Sequence, residues 1–150
     1  MRRWAQAAAP LLLLLTAATG YPAEADNGQI LFVKGRIEAA EYLDGLIPAT
    51  PVGNAPFIEG GDYRIKLAIT EVLIGQPRQP DLHLTLTITD APQGDLHPEI
   101  FLLAKQTPDG QLEPLDWDYA ANGVCIGAQI SRQYGMEEAM RDIQKKYPCK

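Results

Sequence analysis

The stretch Tyr63–Gly75, YRIKLAITEVLIG, constrains this chain more than any other, because it is too β-branched for a helix and too regular for a loop. Tyr63, Ile65, Leu67 and Ile69 fall on one face and Arg64, Lys66 and Thr70 on the other, the period of a strand with one buried side. At Glu71 the phase slips, and Val72 and Ile74 take over the apolar series. One extra residue near Thr70 and Glu71 restores the pattern, so a β-bulge is expected there. A long strand that bends and changes its buried face suits a small curled barrel, with this strand at its centre.

The chain opens with Arg2 and Arg3, an apolar run through Leu11–Leu15, and the small-residue pattern Ala23-Glu24-Ala25 before Asp26. That order is expected for a cleaved signal peptide over residues 1–25, with a cut after Gly20 or a retained anchor as alternatives. The apolar run is shorter than the ~20 residues a spanning helix needs, so no membrane insertion is expected after cleavage. The expected location is the periplasm or outside the cell. Removing residues 1–25 leaves a formal charge of about −7, against −6 for the whole chain. So acidic a domain disfavours nucleic acid and anionic lipid as partners.

Residues 26–150 form one domain by length. Ile30–Ala39 reads as a first strand, with Gly35 marking a bulge or a close backbone approach. Residues 43–62 carry Pro48, Pro51, Pro56 and Gly60-Gly61 and read as the longest loop, either a binding loop or a mobile one. Gly75–Pro80 is a turn, followed by the alternating strand Leu82–Thr89. Glu99–Gln106 is apolar on both faces and therefore buried, and Gln111–Trp117 returns as an edge strand because it contains Pro114. Met136, Met140, Ile143 and Tyr147 then recur at helical spacing, predicting a helix over 136–147 that covers the barrel. Glu137 and Arg141, and Asp142 and Lys146, are spaced to pair along it. The fold class expected is mainly β, a five-stranded antiparallel barrel of the oligonucleotide/oligosaccharide-binding type with a C-terminal helix.

Little in the chain suggests catalysis. Ser131, the only serine, lies in no G-x-S-x-G motif, and His83 and His97 sit on a strand face and before a proline. Neither H-E-x-x-H nor paired cysteine knuckles occur, so no metal and no cofactor is expected. Cys125 and Cys149, the only cysteines, flank the helix in a chain expected to be exported, which predicts a structural disulfide stabilising the fold by roughly 3 kcal/mol. Asp109, Glu113, Asp116 and Asp118 make an acidic edge that is either solvated or a set of paired carboxylates. Asp116-Trp117-Asp118-Tyr119 places two aromatics among acids. Exposed, they suit recognition of a peptide, sugar or cation; buried, Trp117 closes the barrel end.

Tyr63, Ile65 and Lys66 followed by Val72 and Gly75, the FLLAK segment Phe101–Lys105 and the Asp109-Gly110 hairpin together resemble the netrin-like domain of tissue inhibitors of metalloproteinases and complement proteins. The resemblance spans Ile30–Trp117 and implies a five-stranded barrel with a packed terminal helix. In the inhibitors the zinc-chelating group is an amino-terminal cysteine of the mature chain, a position matched here by Asp26. The resemblance therefore does not carry that inhibitory route over.

The function expected is a non-enzymatic exported binding or accessory domain. It would contact a protein or a small polar ligand through loops 43–62 and 107–119, with Asn54, Phe57, Asp116, Trp117, Asp118 and Tyr119 as candidate binding residues. The alternatives are a small envelope hydrolase using Asp109, Glu113, Asp116 and Asp118, and a purely structural envelope component.

Overall fold

The computed structural model describes residues 28–45, 61–90 and 97–150. Five strands, β1 (Gln29–Gly45), β2 (Gly61–Ile74), β3 (Asp81–Ile88), β4 (Glu99–Gln106) and β5 (Leu112–Tyr119), form one antiparallel sheet in the order β3-β2-β1-β4-β5. The chain then makes a 3-10 turn at Ala120–Asn122 and two short helices, α1 (Ala128–Gln133) and α2 (Glu137–Lys146).

The expected mainly β fold is present, with two corrections to its layout. The central strand is β1, not β2, because β1 stands in the middle of the sheet order, laddered with β4 over Gln29–Arg36 and with β2 over Phe32–Gly45. Its run continues to Gly45 and β2 begins at Gly61, so Leu43–Gly45 and Gly61–Asp62 are strand residues instead of loop. Residues 46–60, with Asn54 and Phe57, lie outside the described residues.

The bulge expected near Thr70 is there. Lys34 pairs with Glu71 and Gly35 with Ile69, leaving Thr70 as the extra residue, and its hydroxyl donates to the Lys34 carbonyl at 3.2 Å. Further register shifts leave out Leu73 on β2 and Glu38 and Leu43 on β1. These shifts bend the long β1–β2 ribbon. Gly35 permits the closest approach, since a Cβ there would meet Leu67 Cγ at 2.7 Å and the Ala68 carbonyl at 2.8 Å.

The bend divides the apolar residues between two cores. Inside the curl, Leu31, Val33, Ile37, Tyr63, Ile65 and Leu67 pack against β3's Leu82, Leu84, Leu86 and Ile88 and β4's Ile100, Leu102 and Ala104. Outside it, Phe32, Phe101 and Leu103 pack under Val124, Ile126, Met136 and Met140. Strand β4 is apolar on both faces because each face serves one of these cores. The methionine stripe thus covers the sheet, with the Phe101 and Tyr147 rings 4.9 Å apart.

The helix pairs are not those that the four-residue spacing suggests. Glu137 meets Arg132 at 3.5 Å, Asp142 meets Lys145 at 2.8 Å, and Lys146 reaches across to Glu71 at 2.6 Å. Tyr147 also donates to the Glu71 carboxylate. Cys125 and Cys149 form the expected disulfide, alongside main-chain bonds from Val124 N–H to Tyr147 and from Lys150 N–H to Asn122. No helix of the described residues is long and apolar enough to cross a membrane.

The curled sheet does not close into a barrel. Its free edges, β3 and β5, run parallel and come within 8 Å between Cα atoms without sharing a ladder. The open seam between them is lined by the candidate residues Asp109, Asp116 and Trp117.

Candidate functional site

The seam begins with β3, whose alternation is clean: Leu82, Leu84, Leu86 and Ile88 are buried, and His83, Thr85 and Thr87 are exposed. The β2–β3 ladder is entered by Ile69 N–H donating to the Pro80 carbonyl at 3.1 Å and continues without a shift. In an antiparallel pair, main-chain groups turn alternately toward and away from the neighbour. It follows that His83, Thr85 and Thr87 present their N–H and C=O groups to the seam. No described side chain caps those main-chain groups.

Strand β5 is built differently. Thr107 N–H donates to the Gln111 carbonyl at 2.9 Å, and the ladder then pairs Lys105 with Glu113, Leu103 with Asp116 and Phe101 with Asp118. Glu113, Asp116 and Asp118 therefore turn their main chain to β4, while Leu112, Pro114, Trp117 and Tyr119 turn theirs to the seam. Pro114 has no N–H to offer. Two more are taken, since Trp117 N–H donates to Asp116 Oδ1 at 2.9 Å and Tyr119 N–H to Asp118 Oδ1 at 2.7 Å, which leaves the Leu112 N–H at the start of the strand. A register shift leaves out Leu115 between these groups. From Pro114 onward the β5 edge is thus left with carbonyl acceptors and carboxylates, which disfavours a ladder with β3 along that stretch, where donors are already spent.

This arrangement gives Asp116-Trp117-Asp118-Tyr119 a structural logic that the sequence does not disclose. The acids lie on the face toward residues 124–126, and the aromatics turn inward, half-buried against the inner core. Trp117 and Tyr119 meet edge to face at 5.3 Å. Tyr119 donates its hydroxyl to the Asp90 carbonyl at 2.6 Å, and burial, with the nearby Asp90 and Asp118 charges, pushes its pKa up to about 12. Burial also raises the Asp116 carboxyl above the usual aspartate range, against the lowering effect of the Trp117 N–H. Asp118 is further held by the Asn122 amide at 2.8 Å.

The four acids of the expected edge do not converge. Asp109 sits in the β4–β5 turn, where the Thr107 hydroxyl donates to it and depresses its pKa, and Glu113 is exposed. Among the described residues, no three His, Cys, Asp or Glu side chains come together in a way that could hold a metal.

Two clefts lie along the seam. One, of about 290 Å³, is lined by Arg78, Asp81, His83, Gln106, Asp109 and Leu112, and Arg78 donates across it to the Pro108 carbonyl. The other, of about 300 Å³, is lined by Thr85, Thr87, Pro114, Leu115, Asp116 and Trp117. The second joins candidate residues of β5 to threonines of β3 that the sequence offers only as a solvent face. A third hollow of about 500 Å³ lies away from the seam, between Ile126, Ser131, Met140 and Arg141 on the helical side.

Compared with known protein families, characterised proteins and solved structures, the chain matches none.

Proposed function

We propose that this chain is a non-enzymatic binding domain of an exported protein, and that its ligand surface is the seam between β3 and β5. The observation that carries this reading is the pair of parallel strand edges facing each other unladdered, one with outward donors and acceptors along its length and one with acceptors alone from Pro114 onward. A sheet that leaves such an edge open presents a template for another chain. The segment 107–119 supplies one wall of both clefts, through Asp109 and Leu112 in the first and Pro114–Trp117 in the second. The disulfide supports export, since such bonds persist in oxidising compartments.

The carboxylates of a hydrolase would be expected to meet across a substrate cleft. Asp116 and Asp118 instead accept main-chain bonds on their own strand. That favours the binding reading.

Site-specific photo-crosslinking tests it. A photoreactive residue at Thr87 should give adducts in the envelope fraction that the same group at Glu138, on the exposed face of α2, does not. Equal labelling from the two positions would count against the seam.

A further inference from the structure

The two edges of the seam are chemically unequal, and that inequality specifies an occupant. We infer that the seam takes an extended basic peptide segment of a partner protein, which pairs with the main chain of β3 and presents lysine or arginine side chains to the β5 wall. The inference rests on the seam being the ligand surface and adds the chemistry of what it binds.

Topology gives the first argument. Because the five strands alternate in direction, β3 and β5 point the same way, and one further strand antiparallel to β3 is antiparallel to β5 as well. A sixth strand thus completes an all-antiparallel ring, which direct β3–β5 pairing cannot do. Strand β3 is fit to receive it, with no proline, no bulge and outward main-chain groups at His83, Thr85 and Thr87.

The opposite wall then selects for donors. Beyond the carbonyls of Pro114, Trp117 and Tyr119, it carries Asp116 and Trp117 on opposite faces of β5, across the cleft from Thr85 and Thr87. No Lys or Arg lines this cleft. Nearby, among the described residues, the Asp62 carboxylate accepts from the Thr87 hydroxyl at 2.6 Å. A cationic side chain on the outer face matches the carbonyls and the Asp116 carboxylate, whereas an acidic one meets only acceptors on this wall.

Seating a full strand requires some opening. Two ladder spacings span about 10 Å, so β5 must move outward by at least about 2 Å where the Cα atoms come within 8 Å. β5 is laddered on one side only, to β4, and carries a register shift at Leu115, so it is the strand to move, giving up the Tyr119 hydroxyl bond to the Asp90 carbonyl and the Arg78 bond to the Pro108 carbonyl that cross the seam.

The test uses protein expressed from the full chain and two fluorescein-labelled octapeptides, one alternating lysine with threonine and one alternating glutamate with threonine. Fluorescence anisotropy should give saturable binding of the lysine peptide alone. Thr85→Pro removes an N–H that faces the seam and leaves the β2–β3 ladder intact; it should abolish binding while the circular dichroism spectrum is unchanged. Asp116→Asn keeps an acceptor for the Trp117 N–H and removes the charge; it should weaken the lysine peptide by about fivefold. Equal binding of both peptides would overturn the basic partner and leave the seam reading standing. Undiminished binding to Thr85→Pro would overturn strand addition at β3. Binding of neither peptide would overturn the proposal, with Thr87 crosslinking still deciding separately whether the seam is a ligand surface.

Discussion

Tyr119 donates its main-chain N–H to the carboxylate of the residue before it, Asp118, at 2.7 Å, on a strand edge where a neighbouring strand would otherwise supply the acceptor. Asp116 does the same for Trp117 at 2.9 Å. These bonds satisfy the backbone locally and put negative charge on the edge, two ways of discouraging unwanted pairing. Removing both carboxylates with Asp116→Ala and Asp118→Ala should therefore expose a pairing-competent β5. The double variant should be less stable by about 1–3 kcal/mol and should self-associate with rising concentration. Light scattering identical to the parent's across that range would contradict the capping role.

A second contact ties the helix to the bulged part of β2. Glu71 accepts from Lys146 at 2.6 Å and from the Tyr147 hydroxyl, and these bonds, Lys146's first, hold its carboxyl below the usual glutamate range. A carboxylate whose folded pKa lies below its unfolded value of about 4.3 stabilises fully above that value and loses its contribution as pH falls through the folded one. Acidification from about pH 5 to pH 3 should loosen α2 through this group, and Glu71→Gln should flatten that part of the stability profile. Denaturant titrations of parent and variant across the window check it, and parallel profiles would rule the contact out as a source of acid sensitivity.

Reduction of Cys125–Cys149 should act locally. The bond spans a separation of 24 residues that encloses both helices and leaves every strand outside. The chain-entropy model puts its worth at roughly 3 kcal/mol. After reduction, hydrogen exchange should accelerate in Glu137–Lys146 before it does in β1 or β2. Equal loss of protection in helix and strands would mean that the bond holds the whole fold.

No binding to single-stranded nucleic acid is expected, although small β-barrels often provide it. Arg64 pairs with Glu41 at 3.0 Å, and Lys66 with Glu38 at 2.9 Å and Asp81 at 3.1 Å. Both basic residues of β2 are thus neutralised by neighbouring acids. A strand-tracking groove needs uncompensated basic residues between stacking aromatics. Fluorescence anisotropy with labelled DNA and RNA at two salt concentrations checks this; micromolar binding that falls steeply with salt would overturn the charge argument.

The sequence by itself determined what depends on periodicity along one strand or helix. The alternation in Leu82–Ile88, the two apolar faces of Ile100–Leu103, the bulge at Thr70 and the stripe from Met136 to Tyr147 were all legible, because burial imposes periods of two or about 3.6 residues on the order of apolar side chains. The disulfide was legible because the chain has only two cysteines. Tertiary structure decided that β1 lies at the centre, that Lys146 reaches Glu71 instead of Asp142, and that Thr85 and Trp117 line one cleft. Those relations join residues far apart in the chain, and no local period encodes which strand pairs with which. The acids of Asp116-Trp117-Asp118-Tyr119 show the division most sharply. Their bonds reach only to the next residue, yet their purpose exists only because that strand has a neighbour on one side and none on the other.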